Sequence, residues 1–283
     1  MNRRCDLHCH SSFSDGSLNP AELVALAEKQ GLSALALTDH NTSAGLKEFM
    51  EAGRNSEVIT VPGCEFSTEW KEKEVHVVGL FFQEKYWNEI EDFLELSHIA
   101  KINSNLQLIA NLNRAGYQVS EEEAAALTKG DFNRSHIARV LMNKGYVKSV
   151  QEAFETLLKE GKGFYTPAKK ISPMAVIRFI KVFGAAAVIA HPFLNLSMEE
   201  LREFLPLAKE AGLDAIETRY TDFDEEMTRN AIALAGEFGL KQSGGSDFHG
   251  AAKPDILLGT GRGDLYVPYG FYEDLLKCAD FYV

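Results

Sequence analysis

The sequence is poor in the residues that build disulfide-stapled or fibrous proteins. It has 4 cysteines, and none of them shows the paired spacing of an all-cysteine zinc site: Cys5, Cys9, Cys64 and Cys278. We expect reduced thiols that pack as small hydrophobic side chains, which argues against a disulfide framework. With 8 prolines among 283 residues and 45% hydrophobic residues, the composition is that of an ordinary globular protein with a full core.

Long apolar runs and an excess of positive charge are also missing. No run of about 18 apolar residues occurs, and the N-terminal segment has no signal-peptide core, so a cytoplasmic protein without a membrane partner is expected. Lys and Arg number 29 against 41 Asp and Glu, which gives a formal net charge of −12. Such a surface repels a long polyanion, so long duplex nucleic acid is not an expected partner. Oligomeric state has no signature in the sequence.

Strand-like and helix-like segments alternate along most of the chain, which predicts an α/β protein with a parallel sheet. The first helix is predicted to begin at Pro20, where Asn19 is the N-cap and Glu22 completes a capping box. Asn41 or Thr42 is the predicted N-cap of the second helix. Strands are predicted at 5–10, 32–40, 57–66, 74–82, 185–191, 213–220 and 240–247, and helices at 20–30, 41–52, 172–182, 198–211 and 224–238.

The alternation stops in one long segment, residues 85–163, where apolar residues recur only at helical spacing. We interpret it as a helical insertion that selects substrate or acts as a lid, inserted into a domain made of residues 1–84 and 164–283. Within it, a long helix is expected first, followed by shorter helices near 121–127, 134–144 and 149–160.

Side chains that can bind metal ions recur where the predicted strands end. Taken singly, each has an ordinary explanation as a turn, cap or strand-end residue. Together they indicate a metal site, because the carboxyl ends of strands are where barrel-type α/β enzymes assemble their chemistry. The candidate ligands are His8, His10, Asp15, His40, Glu65, His76, His191, Asp247 and His249. Asp6 and Asp39 are expected to orient ligand histidines through their other ring nitrogen.

Six segments of the chain resemble the successive motifs of the PHP (polymerase and histidinol phosphatase) superfamily, in their usual order. They are DLHCHSSFSDG, ALTDHNT, GCEFS, VHVVGL, IAHP and SGGSDFHG. Residues 132–165 are similar to the helical insert of stand-alone PHP phosphoesterases that act on nucleoside phosphates. The resemblance implies a distorted, TIM-like (β/α)7 barrel with a helical insertion domain and three divalent metal ions.

The resemblance also implies how the ligands are shared among the ions. One ion would be held by His8, His10, Glu65 and Asp247. Glu65 would bridge to a second ion bound by His76 and His191, and a third would be bound by Asp15, His40 and His249. Mixed imidazole and carboxylate ligands suit manganese, zinc or iron, and leave the choice among them open.

This ligand set points to hydrolysis of phosphate esters. The nucleophile would be a metal-bound hydroxide held by Glu65, His191 and Asp247, in keeping with the lack of a GxSxG motif. Cationic donors to the phosphate are also needed. The candidates are Arg134 and His136 in the insertion and Arg219 near a strand end.

Three functions compete at this point. The first is a phosphatase whose partner is a small phosphorylated substrate, either a nucleoside monophosphate or a 3',5'-bisphosphate. The second is a 5'-to-3' exonuclease that trims short RNA or DNA oligonucleotides by the same chemistry. A continuous basic groove lined by aromatic residues would support it, and the sequence shows none clearly. The third is a noncatalytic, metal-stabilised interaction module, which the complete set of ligands argues against.

Alanine at position 247 should nearly abolish turnover and reduce bound metal, because it removes a carboxylate ligand. His98→Ala, in the insertion, should change neither quantity. Phosphate release and metal content of the purified variants measure both effects. Normal activity in Asp247→Ala would contradict the ligand assignment.

Overall fold

The computed structural model describes residues 3–128, 132–159, 161 and 163–280. The chain divides into two compact units. The first unit comprises the chain up to Asp92 and from Ile171 onward, and the second unit is Phe93–Lys170. Among the described residues, no helix is both long enough and apolar enough to cross a bilayer.

The first unit is built around a seven-stranded sheet whose strands follow one another in sequence order. They are β1 (Cys5–Asp6), β2 (Ala34–Leu37), β3 (Ile59–Trp70), β4 (Lys73–Leu80), β5 (Ala186–Ile189), β6 (Ala215–Tyr220) and β7 (Lys241–Gly245). The end of β7 also joins the segment after β1, since the Leu7 N–H donates to the Gly244 carbonyl at 3.1 Å. The sheet is therefore a nearly closed barrel, which confirms the predicted TIM-like fold.

The expectation of an all-parallel sheet is wrong for β4. This strand runs antiparallel to both of its neighbours, β3 and β5. Lys71 and Glu72 connect β3 to β4 in a two-residue turn, with φ angles of +49° and +64°. Two-residue hairpins require such positive φ angles and favour Asn-Gly. The Lys-Glu pair gave no such signal, so the hairpin could not be recognised from the sequence.

The first predicted strand is shorter than expected. Leu7 packs in the cluster that contains Ala34 and Val78, whereas Cys9 packs in a different cluster with Phe49. The two side chains therefore do not share one face, and β1 ends at Asp6. Beyond β1, the strand-like pairing of Cys9 is limited to an isolated β-bridge with Phe248.

Helices cover the sheet of the first unit. They are α1 (Pro20–Lys29), α2 (Leu46–Gly53), α7 (Pro173–Val182), α8 (Met198–Ala211), α9 (Glu225–Glu237) and α10 (Tyr269–Leu276). The predicted capping box of α1 is present, because Asn19 and Glu22 bond to each other's backbone N–H groups. α10 was not expected from the sequence. It packs Tyr272 and Leu275 into the same core as Leu7.

The predicted N-cap of the second helix is wrong. α2 begins at Leu46, after Gly45, and neither Asn41 nor Thr42 caps it. Asn41 has a φ angle of +50°, and its side-chain amide bonds twice to Ser67 on β3. The side chain that could have capped a helix is thus used to fix the loop after β2.

The described residues of the second unit form helices and the connections between them, with no strand. Its helices are α4 (Glu121–Ala125), α5 (Arg134–Asn143), α6 (Val150–Thr156) and most of α3 (Trp87–Arg114). It has a core of its own, formed by residues from these helices and the connections between them, such as Leu112, Val119, Ile137, Leu141 and Leu158.

Alanine at Gly245 should destabilise the protein, because an added Cβ would lie 2.4 Å from the Cβ atom of His8. Overpacking of this kind costs about 1–3 kcal/mol. Gly236→Ala is the matched control on α9, where nothing lies within 4 Å of the added carbon. That change should leave stability equal or raise it by up to about 1 kcal/mol. Denaturant unfolding compares the two, and equal free energies of unfolding would contradict the packing argument.

Candidate metal centre

The nine side chains predicted as ligands converge in the first unit. Glu65 lies at their centre, with none of its surface exposed. Its Oε1 atom is 2.8 Å from His76 Nδ1 and 3.0 Å from His191 Nε2. Its Oε2 atom lies within 3.3 Å of a ring nitrogen of each of three further histidines, His8, His10 and His40. One carboxylate therefore faces two groups of imidazoles, each through a different oxygen.

Strand geometry explains why Glu65 and His76 meet. In the β3–β4 hairpin, Ser67 is paired with His76, so Glu65 and His76 are diagonal neighbours on one face of the sheet. The residues on either side of Glu65, Cys64 and Phe66, are buried on the opposite face.

Asp247 forms a second junction of the centre. Its Oδ1 atom is 3.0 Å from His10 Nε2 and 3.6 Å from His249 Nδ1. Its Oδ2 atom accepts hydrogen bonds from the Tyr220 hydroxyl and the Lys253 ammonium, both at 2.9 Å. The carboxylate thus has one oxygen directed at imidazoles and one held by protein donors.

Asp15 marks the open side of the centre. Its side chain is 57% exposed, and its Oδ1 atom is 3.2 Å from His249 Nε2. Its Oδ2 atom is 3.9 Å from His40 Nε2. The turn after Asp15 requires glycine, because a Cβ atom on Gly16 would lie 2.3 Å from the carbonyl oxygen of His10.

The residues fit a group of divalent cations. Ligand atoms lie within 4.8 Å of one another in four sets, namely His10 with Asp15, His40 and His249; His8 with Glu65 and His191; His8 with His10 and Asp247; and His40 with Glu65 and His76. Five buried atoms among them have no hydrogen-bond partner in the described part of the chain: His8 Nε2, His10 Nδ1, His10 Nε2, His40 Nδ1 and Glu65 Oε2. Leaving such atoms unpaired is costly. A cation coordinated by imidazole and carboxylate would satisfy them.

The electrostatics of the centre favour ionised carboxylates. Burial alone would raise the pKa of Glu65, but the surrounding imidazoles, His8 foremost, hold it well below its usual range. Burial would lower the pKa of His8, yet Glu65 and Glu217 together raise it well above its ordinary value. Burial lowers the pKa of His10 to about 4. Glu65 and His10 are therefore in the protonation states that metal ligands need, and His8 holds a proton that a bound cation would displace.

Sequence reasoning missed Glu217, which is buried in the middle of β6. Its Oε1 atom is 2.9 Å from His8 Nδ1, and its Oε2 atom accepts the backbone N–H of His191 at 2.6 Å. It thereby fixes the ring of one candidate ligand and the backbone of another. The available signal was an acidic residue within a predicted apolar strand, two positions before Arg219. Tyr220, which holds Asp247, was missed in the same segment.

Asp6 and Asp39 hold the backbone, and the expectation that they bond histidine rings is corrected. Asp6 accepts the backbone N–H groups of His8, Ser246 and Gly259. Asp39 accepts the N–H and hydroxyl of Ser11 and the hydroxyl of Ser14, at 2.6–2.7 Å. Both are short carboxylates, and the loops that carry the ligands bring backbone N–H groups and serine hydroxyls within hydrogen-bond distance of them.

The three predicted phosphate-binding residues lie in different places. Arg134 and His136 belong to the second unit. The guanidinium carbon of Arg134 is 4.2 Å from the centre of the Tyr165 ring, and His136 Nδ1 accepts the backbone N–H of Asn133 at 3.1 Å. Arg219, in the first unit, lines a recess of about 690 Å³ together with Tyr220, Asp224 and Arg229, among others. One of the residues that line this recess, Tyr220, also bonds Asp247.

A family model described as the PHP domain matches residues 6–166, more than half of the chain. The chain is 34% identical to a 5'-3' exoribonuclease from Haemophilus influenzae, over 88% of this chain and 91% of that protein. It is 31% identical to a 3',5'-nucleoside bisphosphate phosphatase from Chromobacterium violaceum, over 86% of each.

Among solved structures, a protein from Bifidobacterium adolescentis assigned as a metal-dependent phosphoesterase is 26% identical, with a TM-score of 0.67. The similarity covers 98% of this chain and 96% of that one, so it includes both units.

Replacing Glu217 by glutamine should weaken metal binding about 10- to 100-fold, the usual effect of removing a partner that orients a ligand. Glutamine has one acceptor oxygen and cannot serve both His8 and His191. Glu225→Gln is the matched control, since that side chain is 95% exposed on α9. A chelator competition titration measures the affinities. Equal affinity in Glu217→Gln and the wild type would show that Glu217 does not orient a ligand.

Proposed function

The chain belongs to the PHP domain family of metal-dependent phosphoesterases, and from this we propose that it cleaves the phosphate ester on the 3' oxygen of a 5'-terminal nucleotide. Short RNA is the proposed substrate, shortened stepwise from its 5' end. A nucleoside 3',5'-bisphosphate presents the same bond in its smallest form, with inorganic phosphate as the second product. That compound is the second candidate substrate.

The observation that carries the proposal is the convergence of six histidines and three carboxylates on one site that is open at Asp15. We propose that they hold three divalent ions of manganese, zinc or iron in the three sets implied by the motifs: His8, His10, Glu65 and Asp247; Glu65, His76 and His191; and Asp15, His40 and His249. Ions bound there would activate a water molecule and polarise the phosphoryl oxygens.

The chain's own residues keep this arrangement in place. Glu65 faces imidazoles through both oxygens and stays ionised, so it is suited to bridge two ions. Tyr220 fixes the free oxygen of Asp247, and Glu217 fixes the ring of His8. Asp15 is exposed, which leaves one side of the centre accessible to a phosphate ester.

The net charge of the chain favours a short substrate, and the names of its relatives indicate its chemical class. A net charge of −12 disfavours a long polyanion, which supports a short chain or a single nucleotide. The Haemophilus influenzae relative supports RNA, and the Chromobacterium violaceum relative supports the bisphosphate. Both substrates carry a phosphorylated 3' oxygen, so one site can serve either.

Phosphate recognition is proposed for Arg219 in the first unit and for Arg134 and His136 in the second. His136 accepts a backbone N–H at Nδ1, so its neutral ring carries its hydrogen at Nε2 and can donate there. Arg134 lies over the Tyr165 and Phe154 rings, which hold its guanidinium in one orientation.

The proposal is tested by product analysis with the manganese-loaded protein. The panel is short 5'-phosphorylated RNA, the same RNA with a 5' hydroxyl, the matching DNA, adenosine 3',5'-bisphosphate, AMP, histidinol phosphate and an aryl phosphate. Nucleoside 5'-monophosphates released stepwise from RNA would establish the exonuclease. Release of phosphate from the bisphosphate alone would establish the second candidate. Asp247→Ala, purified in parallel, controls for contaminating nucleases, and no turnover of any ester by the wild type would refute both candidates.

Arg134→Ala should lower kcat/KM at least about tenfold through a raised KM, because it removes a charged donor to phosphate. Bound metal should be unchanged. Arg139→Ala is the control, since Arg139 is an exposed residue of the same helix. Steady-state kinetics on the preferred substrate make the comparison, and identical constants for Arg134→Ala and the wild type would exclude Arg134 from binding.

A further inference from the structure

We propose that Lys253 binds the phosphoryl group of the substrate at the metal centre. The inference rests on the proposed function and adds a residue to it. Lys253 follows β7 by eight positions, in the loop that also carries Asp247 and His249. The motifs that identify the ligands end before it, so nothing in the ligand pattern assigns it a role.

The position of its ammonium group is the first observation. Lys253 Nζ lies 2.9 Å from Asp247 Oδ2, and its side chain is 41% exposed, whereas that of Asp247 is 6% exposed. The ammonium therefore reaches a buried candidate ligand from the solvent side. Among the described residues, this is the one ion pair between a lysine or arginine and the nine candidate ligands.

The ammonium is not needed to satisfy the carboxylate. Asp247 Oδ2 also accepts the buried hydroxyl of Tyr220, at the same distance of 2.9 Å. Its other oxygen, Oδ1, is directed at the histidines. Lys253 can thus leave Asp247 without creating an unpaired buried oxygen.

The backbone around Lys253 is fixed, which leaves the side chain as the part that moves. The Lys253 N–H donates to the Gly250 carbonyl at 3.1 Å, and Ile256 donates back to the Lys253 carbonyl at 3.1 Å. The loop is tied to the segment after Asp15, because Ser17 bonds to both Ala251 and His249. The backbone of Lys253 is therefore held close to the open side of the centre.

The charges at the centre determine which group the Lys253 ammonium binds when metal ions are present. A divalent cation on Asp247 neutralises the carboxylate and repels the ammonium across a few ångströms. Phosphoryl oxygens are then the stronger acceptor, and lysine binds phosphate as a compact charge on a flexible stem. In the structure, the Lys253 ammonium is paired with Asp247. When the centre holds metal ions and substrate, it would leave Asp247 and bind a phosphoryl oxygen.

Lys253→Ala and Lys253→Arg test the inference, with Lys277→Ala as the control, an exposed lysine paired with Asp274. The first readout is bound metal and metal affinity. The second is inorganic phosphate binding to the manganese-loaded protein, by calorimetry and as competitive inhibition. We expect Lys253→Ala to weaken phosphate binding about 10- to 100-fold, the range for a lost charged hydrogen bond, with metal affinity equal to or above that of the wild type because a competing positive charge is removed. Lys253→Arg should recover most of this affinity, and Lys277→Ala should match the wild type.

Two results would overturn the inference while leaving the proposed function in place. Weaker metal binding in Lys253→Ala with wild-type phosphate affinity after reloading would make Lys253 a residue that only positions Asp247. Unchanged metal and phosphate binding would make it a surface ion pair. If the loaded wild type binds no phosphate and cleaves no ester, the proposed function fails, and the role of Lys253 fails with it.

Discussion

Burial of the Glu65 carboxylate is the constraint on which the rest of this structure depends. An ionised carboxylate with no exposed surface is strongly disfavoured unless positive charge and hydrogen-bond donors surround it. Ring nitrogens of five histidines lie within 3.3 Å of its two oxygens. These histidines lie on β4 or in the segments that follow β1, β2 and β5, so they meet at Glu65 only when these strands have assembled into one sheet.

Two features of the fold bring the charged residues of the centre together, namely the closure of the barrel and the antiparallel direction of β4. The hydrogen bonds between Leu7 and Gly244 and between Asp247 and His8 join the end of β7 to the segment after β1, which brings His8 and Asp247 to one rim. The β3–β4 hairpin brings His76 to Glu65 directly, on the same face of two paired strands. Because the two strands are antiparallel, the second half of β3 pairs with the first half of β4, so His76 lies within its strand and does not follow it.

The sequence predicted the parts of this site that depend on strand ends, and failed where geometry depends on turns. His8, His10, His191 and Asp247 follow strands, and that pattern is readable because parallel strands end at the same rim. The hairpin at Lys71 and Glu72 has no turn signature, so the direction of β4 was not readable. In the sequence, Glu217 is an acidic residue near an arginine and has no further distinguishing feature. Its role could not be predicted, because it depends on His8 Nδ1, more than 200 positions away in the chain. Asp6 and Asp39 were predicted to bond the rings of ligand histidines, because the sequence does not show which N–H and hydroxyl groups the fold brings close to these two carboxylates.

The candidate ligands and the helical unit belong to different compact parts of the chain. The nine candidate ligands belong to the first unit and are fixed by one buried carboxylate, so their spacing leaves little room to vary. The second unit has a hydrophobic core of its own, which contains none of the candidate ligands. Relatives of 34% and 31% identity are named for RNA and for a nucleoside bisphosphate, and both of these compounds contain a phosphate ester. In the function proposed above, groups outside the ligand set, such as Arg219 and Lys253, would therefore determine which of the two this chain prefers.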